Sequence, residues 1–150
     1  MNNLRNNRAI LKDTGLTLLS EGKTIRIKAH GYSMYPSIKP GSMILIEPLT
    51  IKGLPRPGEI IAIRREQGLI VHRLSKIINS NGIISYIGRG DSNAIADNPV
   101  NIDMIAGRII RSEATGENPV PADIRINTRP NYLINRIRVI VLLLFKKIHS

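Results

Sequence analysis

The chain has 150 residues, enough for one ordinary domain with a real core. It has no cysteine, which excludes disulfides, thiol catalysis and thiolate metal sites. Lys and Arg number 22 against 11 Asp and Glu, and the net charge of +11 favours phosphate-rich surfaces, either nucleic acid or anionic lipid.

At the N-terminus, MNNLRNNRAILKDTGLTLLSEG has a basic start, but acids interrupt the apolar stretch that a cleavable signal peptide needs. From Asn7 to Ser20 the apolar residues recur with helical spacing, interrupted at Gly15, and predict an amphipathic lead-in helix within residues 1–22. Several strands follow. TIRIKAHGYSM alternates as a half-buried strand, with Ile25 and Ile27 to one side and Arg26 and Lys28 to the other. MILIEP is a second strand, and LPRPGEIIAIRREQGLIVHRLSKII is a proline-rich lead-in to a hairpin turning at Glu66 to Gly68. NSNGIISYIGRGDSN and VNIDMIAGRIIRS add two more.

Short strands rich in isoleucine, broken by glycine turns, predict a mainly β domain over residues 23–112, coiled rather than parallel. Residues 113–131 are rich in turn formers and read as a linker or extended arm. Residues 132–150 read as a basic and hydrophobic C-terminal helix; no acid follows Asp123. The longest apolar run, Val139 to Phe145, is far short of the roughly 20 residues that a spanning helix needs. The expectation is a cytoplasmic chain or one peripheral on a membrane. Aromatic and basic residues do not interleave as a base-stacking platform requires, so nucleic acid is not an expected partner.

The chemistry concentrates in HGYSMYPSIKPGS. Gly31 and Gly41 accept positive φ at little cost, while Pro36 and Pro40 fix φ and remove donors, so Ser33 sits on a stiff bend. It is either a turn hydroxyl or a nucleophile. Of the three histidines, His149 reads as a tail residue, and His30 belongs to the face opposite Ser33 if the strand continues. His72, within LIVHRL on the returning arm of the hairpin, is either a structural residue or a base. A serine held by the backbone, a base and a carboxylate to orient it are what acyl transfer requires. Asp91 and Asp97, in GRGDSNAIADNP, are both candidates for the acid. No metal or cofactor is called for.

GYSMYPSIKPGSMILIEP, PGEIIAIRREQGLIVHRLSKI, GRGDSNAIAD and IAGRII, in this order, resemble the clan of signal peptidases and SOS-repressor serine peptidases, from about Ile25 to Arg111. The resemblance implies a partly open β-barrel. Most bacterial members of the clan use a lysine base. Val71, His72 and Arg73 stand where that lysine would be, which is similar to the endoplasmic-reticulum and archaeal signal peptidases with serine, histidine and aspartate.

By that resemblance the catalytic residues are Ser33, His72 and Asp97, with Asp91 a structural or auxiliary acid. Gly31 replaces a serine common in signal peptidases, so an oxyanion hole would rely on backbone N–H groups around Gly31, Ser33 and Met34. Ser42 replaces the aspartate usual after the turn glycine, at little cost. The implied substrate is a precursor or leader peptide, bound as an extended strand and cut after a small residue, with Ile25 to His30 and Ile60 to Arg64 as candidate sheet edges. No N-terminal membrane anchor is read; the C-terminal helix would either lie on anionic lipid or dock on its own domain or a partner protein. Two other readings stand beside this one. One is a repressor-type self-cleaving or dimerising regulatory domain, and the other is a non-catalytic peptide-binding module.

Overall fold

The structure, a computed structural model, describes residues 14–66, 68–113, 120–121 and 130–148. The stretch Asn7 to Asp13 of the expected lead-in helix, most of the expected linker, and His149 lie outside the described residues.

Helix α1 (residues 14–20) leads into β1 (Ile25–Lys28) and β2 (Met43–Glu47). A single helical turn, α2 (Leu49–Lys52), precedes the hairpin of β3 (Ile60–Arg65) and β4 (Gly68–Ser80). Then come β5 (Ile83–Arg89), a 3-10 turn (Ile102–Met104), β6 (Ile105–Glu113), β7 (Val120–Pro121) and α3 (Tyr132–Ile148). The seven strands form one sheet in the order β1-β2-β6-β3-β4-β5, with β7 on β6, and each pairing is antiparallel. The chain is mainly β, and its sheet is open, ending at β1 and β5.

β6 organises the sheet. Its first half pairs with β3 (Ala62 opposite Gly107), its second half with β7 (Ser112 opposite Val120), and its other side with β2 (Ile44 opposite Ser112). β3 is therefore hydrogen-bonded on both sides, by β4 and β6, which corrects the expectation that Ile60 to Arg64 offers a free edge. β1 is an edge, as expected.

β3 shows why IIAI does not alternate between polar and apolar. Ile60 and Ala62 enter one apolar cluster with Leu19, Ile25, Met34 and Ile44, while Ile61 and Ile63 enter a second with Leu74, Tyr86 and Val100. Both faces are covered, so both parities are apolar. Each buried isoleucine contributes about 1.5–3 kcal/mol of transfer free energy. β4 is longer than the hairpin reading implied, with 13 residues. Three elements escaped the sequence reading, among them the 3-10 turn Ile102–Met104, which falls inside the expected strand VNIDMIAGRIIRS. α2 is one turn closed by Gly53, and β7 is a two-residue strand inside the expected linker.

Candidate active site

Ser33 lies on the tight turn between β1 and β2, where Gly31 takes φ of +78°. The Tyr35 N–H donates to the Tyr32 carbonyl at 2.9 Å and the Ile38 N–H to that of Met34 at 2.9 Å, so the segment coils twice in quick succession. Met34 and Ile38, one helical turn apart, are both buried in the first cluster. They pin the turn to the core and leave Ser33 half-buried at its rim. The Ser33 hydroxyl makes no hydrogen bond to another described residue. The backbone N–H groups of Gly31, Ser33 and Met34 are equally unengaged among the described residues.

The Ser33 carbonyl is held from the far end of β5. Ser92 donates to it through its N–H at 2.9 Å and its Oγ at 3.1 Å, and the same Oγ donates to the Tyr32 carbonyl at 2.7 Å. GRGDSN is thus a clamp on the Ser33 turn.

His72 is buried in β4, and its Nδ1 lies 2.7 Å from Asp97 Oδ2. A carboxylate can only accept, so Nδ1 carries the hydrogen of this bond. Asp97 is itself fixed by its N–H, which donates to the Gly88 carbonyl at 2.8 Å.

Two glycines lie against these parts. A Cβ at Gly88 would stand 2.5 Å from Asp97 Oδ2 and 3.4 Å from His72 Cβ. A Cβ at Gly90 would stand 2.7 Å from the Ser33 carbonyl oxygen. Positions 88 and 90 share one face of the extended chain. Leu74 pairs with Gly88 and Arg73 with Arg89, where β5 ends. Glycine at 88 leaves room for the Asp97 carboxylate against His72, and glycine at 90 leaves room for the Ser33 carbonyl.

Asp91 has a different position. It is fully buried, and Arg73 donates to it twice, Nε to Oδ1 at 2.8 Å and Nη2 to Oδ2 at 2.8 Å, with Ser37 Oγ as a further donor. Strand alternation sends Arg73 to the face opposite His72, and Asp91 goes with it. The structure brings Asp97 to His72 and commits Asp91 to a buried ion pair. His30, for its part, is exposed. Among the described residues no group of three metal-ligating side chains occurs.

α3 packs beside the Ser33 turn, one of the two placements the sequence allows. Asn135 Nδ2 donates to the Asp91 carbonyl at 3.0 Å, Lys146 Nζ donates to Tyr32 Oη at 2.7 Å, and the Arg89 guanidinium stacks 3.6 Å above the Tyr132 ring. Asn135, buried within an apolar helix, was the available sign that this helix docks on protein.

Residues 5–108 match the family model described as Peptidase S24-like. The chain belongs to that family. No curated protein matches it. Ser33, His72, Asp91 and Asp97 all fall inside the stretch that matches the Peptidase S24-like model, as do both glycines, whereas α3 lies beyond it.

Proposed function

We propose that the chain is a serine endopeptidase that cleaves a precursor or leader peptide after a small residue. Ser33 is the nucleophile, His72 the general base and Asp97 the carboxylate that orients the base. The observation that carries this reading is the 2.7 Å contact between His72 Nδ1 and Asp97 Oδ2. A histidine kept only for packing has no need of a carboxylate on its Nδ1.

The Ser33 hydroxyl attacks the peptide carbonyl while its proton passes to His72 Nε2, and Asp97 stabilises the imidazolium. The oxyanion is received by the unengaged N–H groups of the turn, including that of Ser33. Collapse breaks the C–N bond, the leaving amine takes the proton from His72, and water repeats the sequence to release the acyl group. β1, an open edge that ends at the turn carrying Ser33, supplies backbone donors and acceptors for a substrate bound as an added strand.

The test is digestion of a library of unstructured peptides, read by mass spectrometry. The reading predicts cuts after alanine, glycine or serine that disappear in Ser33→Ala. Peptides bound but left intact by the native chain would identify a binding module instead.

A further inference from the structure

Helix α3 spans 17 residues and contains no acid. With ~100° between successive residues, Tyr132, Asn135, Val139, Leu142 and Lys146 form one face. Four of these are wholly or partly buried, and Asn135 and Lys146 are bonded to the domain. The opposite face carries Leu133, Ile137, Ile140, Leu144 and Ile148, exposed by 69%, 52%, 48%, 56% and 76%. This inverts the usual arrangement, in which a surface helix buries its apolar stripe and exposes its polar one. The outward stripe runs about 22 Å at 1.5 Å per residue. Arg136 and Lys147 border it on one side and Arg138 on the other.

We propose that this face of α3 binds the surface of an anionic lipid bilayer, with the helix lying in the headgroup plane. An apolar stripe edged by cations suits that setting, because the aliphatic side chains enter the acyl boundary while arginine and lysine reach anionic headgroups. The sign of the whole molecule agrees, at +11. A second copy is a poor occupant. Apposing two such stripes brings Arg136, Arg138 and Lys147 of each copy together, and α3 holds no carboxylate to neutralise them. Crossing the bilayer is a different matter, since among the described residues no helix is long and apolar enough. Because α3 lies outside the stretch shared with the family and touches Tyr32, the neighbour of Ser33, it would hold the candidate site about one helix diameter below the lipid surface. This binding is independent of the peptidase reading and is measured without turnover.

The experiment uses the full chain with phosphatidylcholine vesicles, with and without phosphatidylglycerol. The chain has no tryptophan, so Leu144→Trp gives a single fluorescent reporter on the stripe. Its emission shifts to the blue with anionic vesicles and far less with neutral ones. Arg136→Gln and Lys147→Gln each weaken partitioning about fivefold, the effect of one surface cation near an anionic membrane. In the Leu144→Trp chain, Ile137→Asp with Ile140→Asp weakens it at least about tenfold by removing buried apolar area, with melting unchanged because both side chains point away from the domain. No shift with anionic vesicles, or partitioning indifferent to the paired aspartates, overturns the proposal. So does a dimer in light scattering that those aspartates convert to monomer without any vesicle binding in the native chain.

Discussion

Gly88→Ala probes the candidate site without altering any residue assigned to the chemistry. The new Cβ would lie 2.5 Å from Asp97 Oδ2 and 2.9 Å from Ile63 Cδ1, and real Cβ atoms essentially never approach within 3.0 Å. The carboxylate must therefore withdraw by roughly 0.5 Å, stretching its 2.7 Å contact with His72 toward about 3.2 Å, the outer limit of a good N–H···O bond. Ile63 is fully buried and paired on β3, so it yields little.

Two consequences are separable. Overpacking costs about 1–3 kcal/mol of stability. Misplacing the orienting carboxylate by a large fraction of an ångström slows acylation on the order of 100-fold. The assay is the rate of labelling by a fluorophosphonate at a temperature where the variant is fully folded, alongside the downfield proton resonance of the His72 Nδ1–H. A labelling rate within about threefold of native, with that resonance unmoved, would refute the packing argument.

The two aspartates should separate cleanly. Asp97→Asn leaves melting nearly unchanged and lowers turnover by on the order of 10³ to 10⁴, since the amide no longer enforces the imidazole tautomer. Asp91→Asn leaves the buried Arg73 guanidinium without its counter-charge and costs about 3–5 kcal/mol, seen as a drop in melting temperature of about 10 °C, while the folded fraction still turns over. The reverse ranking in paired melting and turnover measurements would show that the acids exchange these roles. Asn135→Ala removes the donor to the Asp91 carbonyl at a cost of about 1–3 kcal/mol, and hydrogen exchange should quicken across Tyr132–Ile148 before it does in β3. Equal exchange in native and variant would show that this bond does not hold the helix.

Local pattern made much of this architecture legible. Ile25 to Lys28 and Met43 to Glu47 alternate or end at turn residues, so both strands could be placed from sequence. What remained hidden depends on partners distant in the chain. β6 returns to lie between β2 and β3, and nothing within IIAIRR tells whether its apolar residues serve one covered face or two; here lay the error about a free edge. The hydroxyl, imidazole and carboxylate candidates were recognisable as residue types, but the choice of Asp97 over Asp91 came from the resemblance alone. The physical sign was available in GRGDSN, where two glycines two apart on a strand mark a face that other atoms approach closely. The adjacent Arg73 and the distant Ser37 gave no local hint that they would hold Asp91, because an ion pair across a sheet leaves no periodicity.

The central claim, that Ser33 is made nucleophilic by His72, is tested most directly by peptide mapping after reaction of the full chain with a fluorophosphonate. The account predicts one adduct, on the peptide containing Ser33, formed by the native chain and by folded Asp91→Asn, and at least about 1000-fold slower in His72→Gln. An adduct elsewhere, or one on Ser33 that forms equally fast without the imidazole, would contradict it.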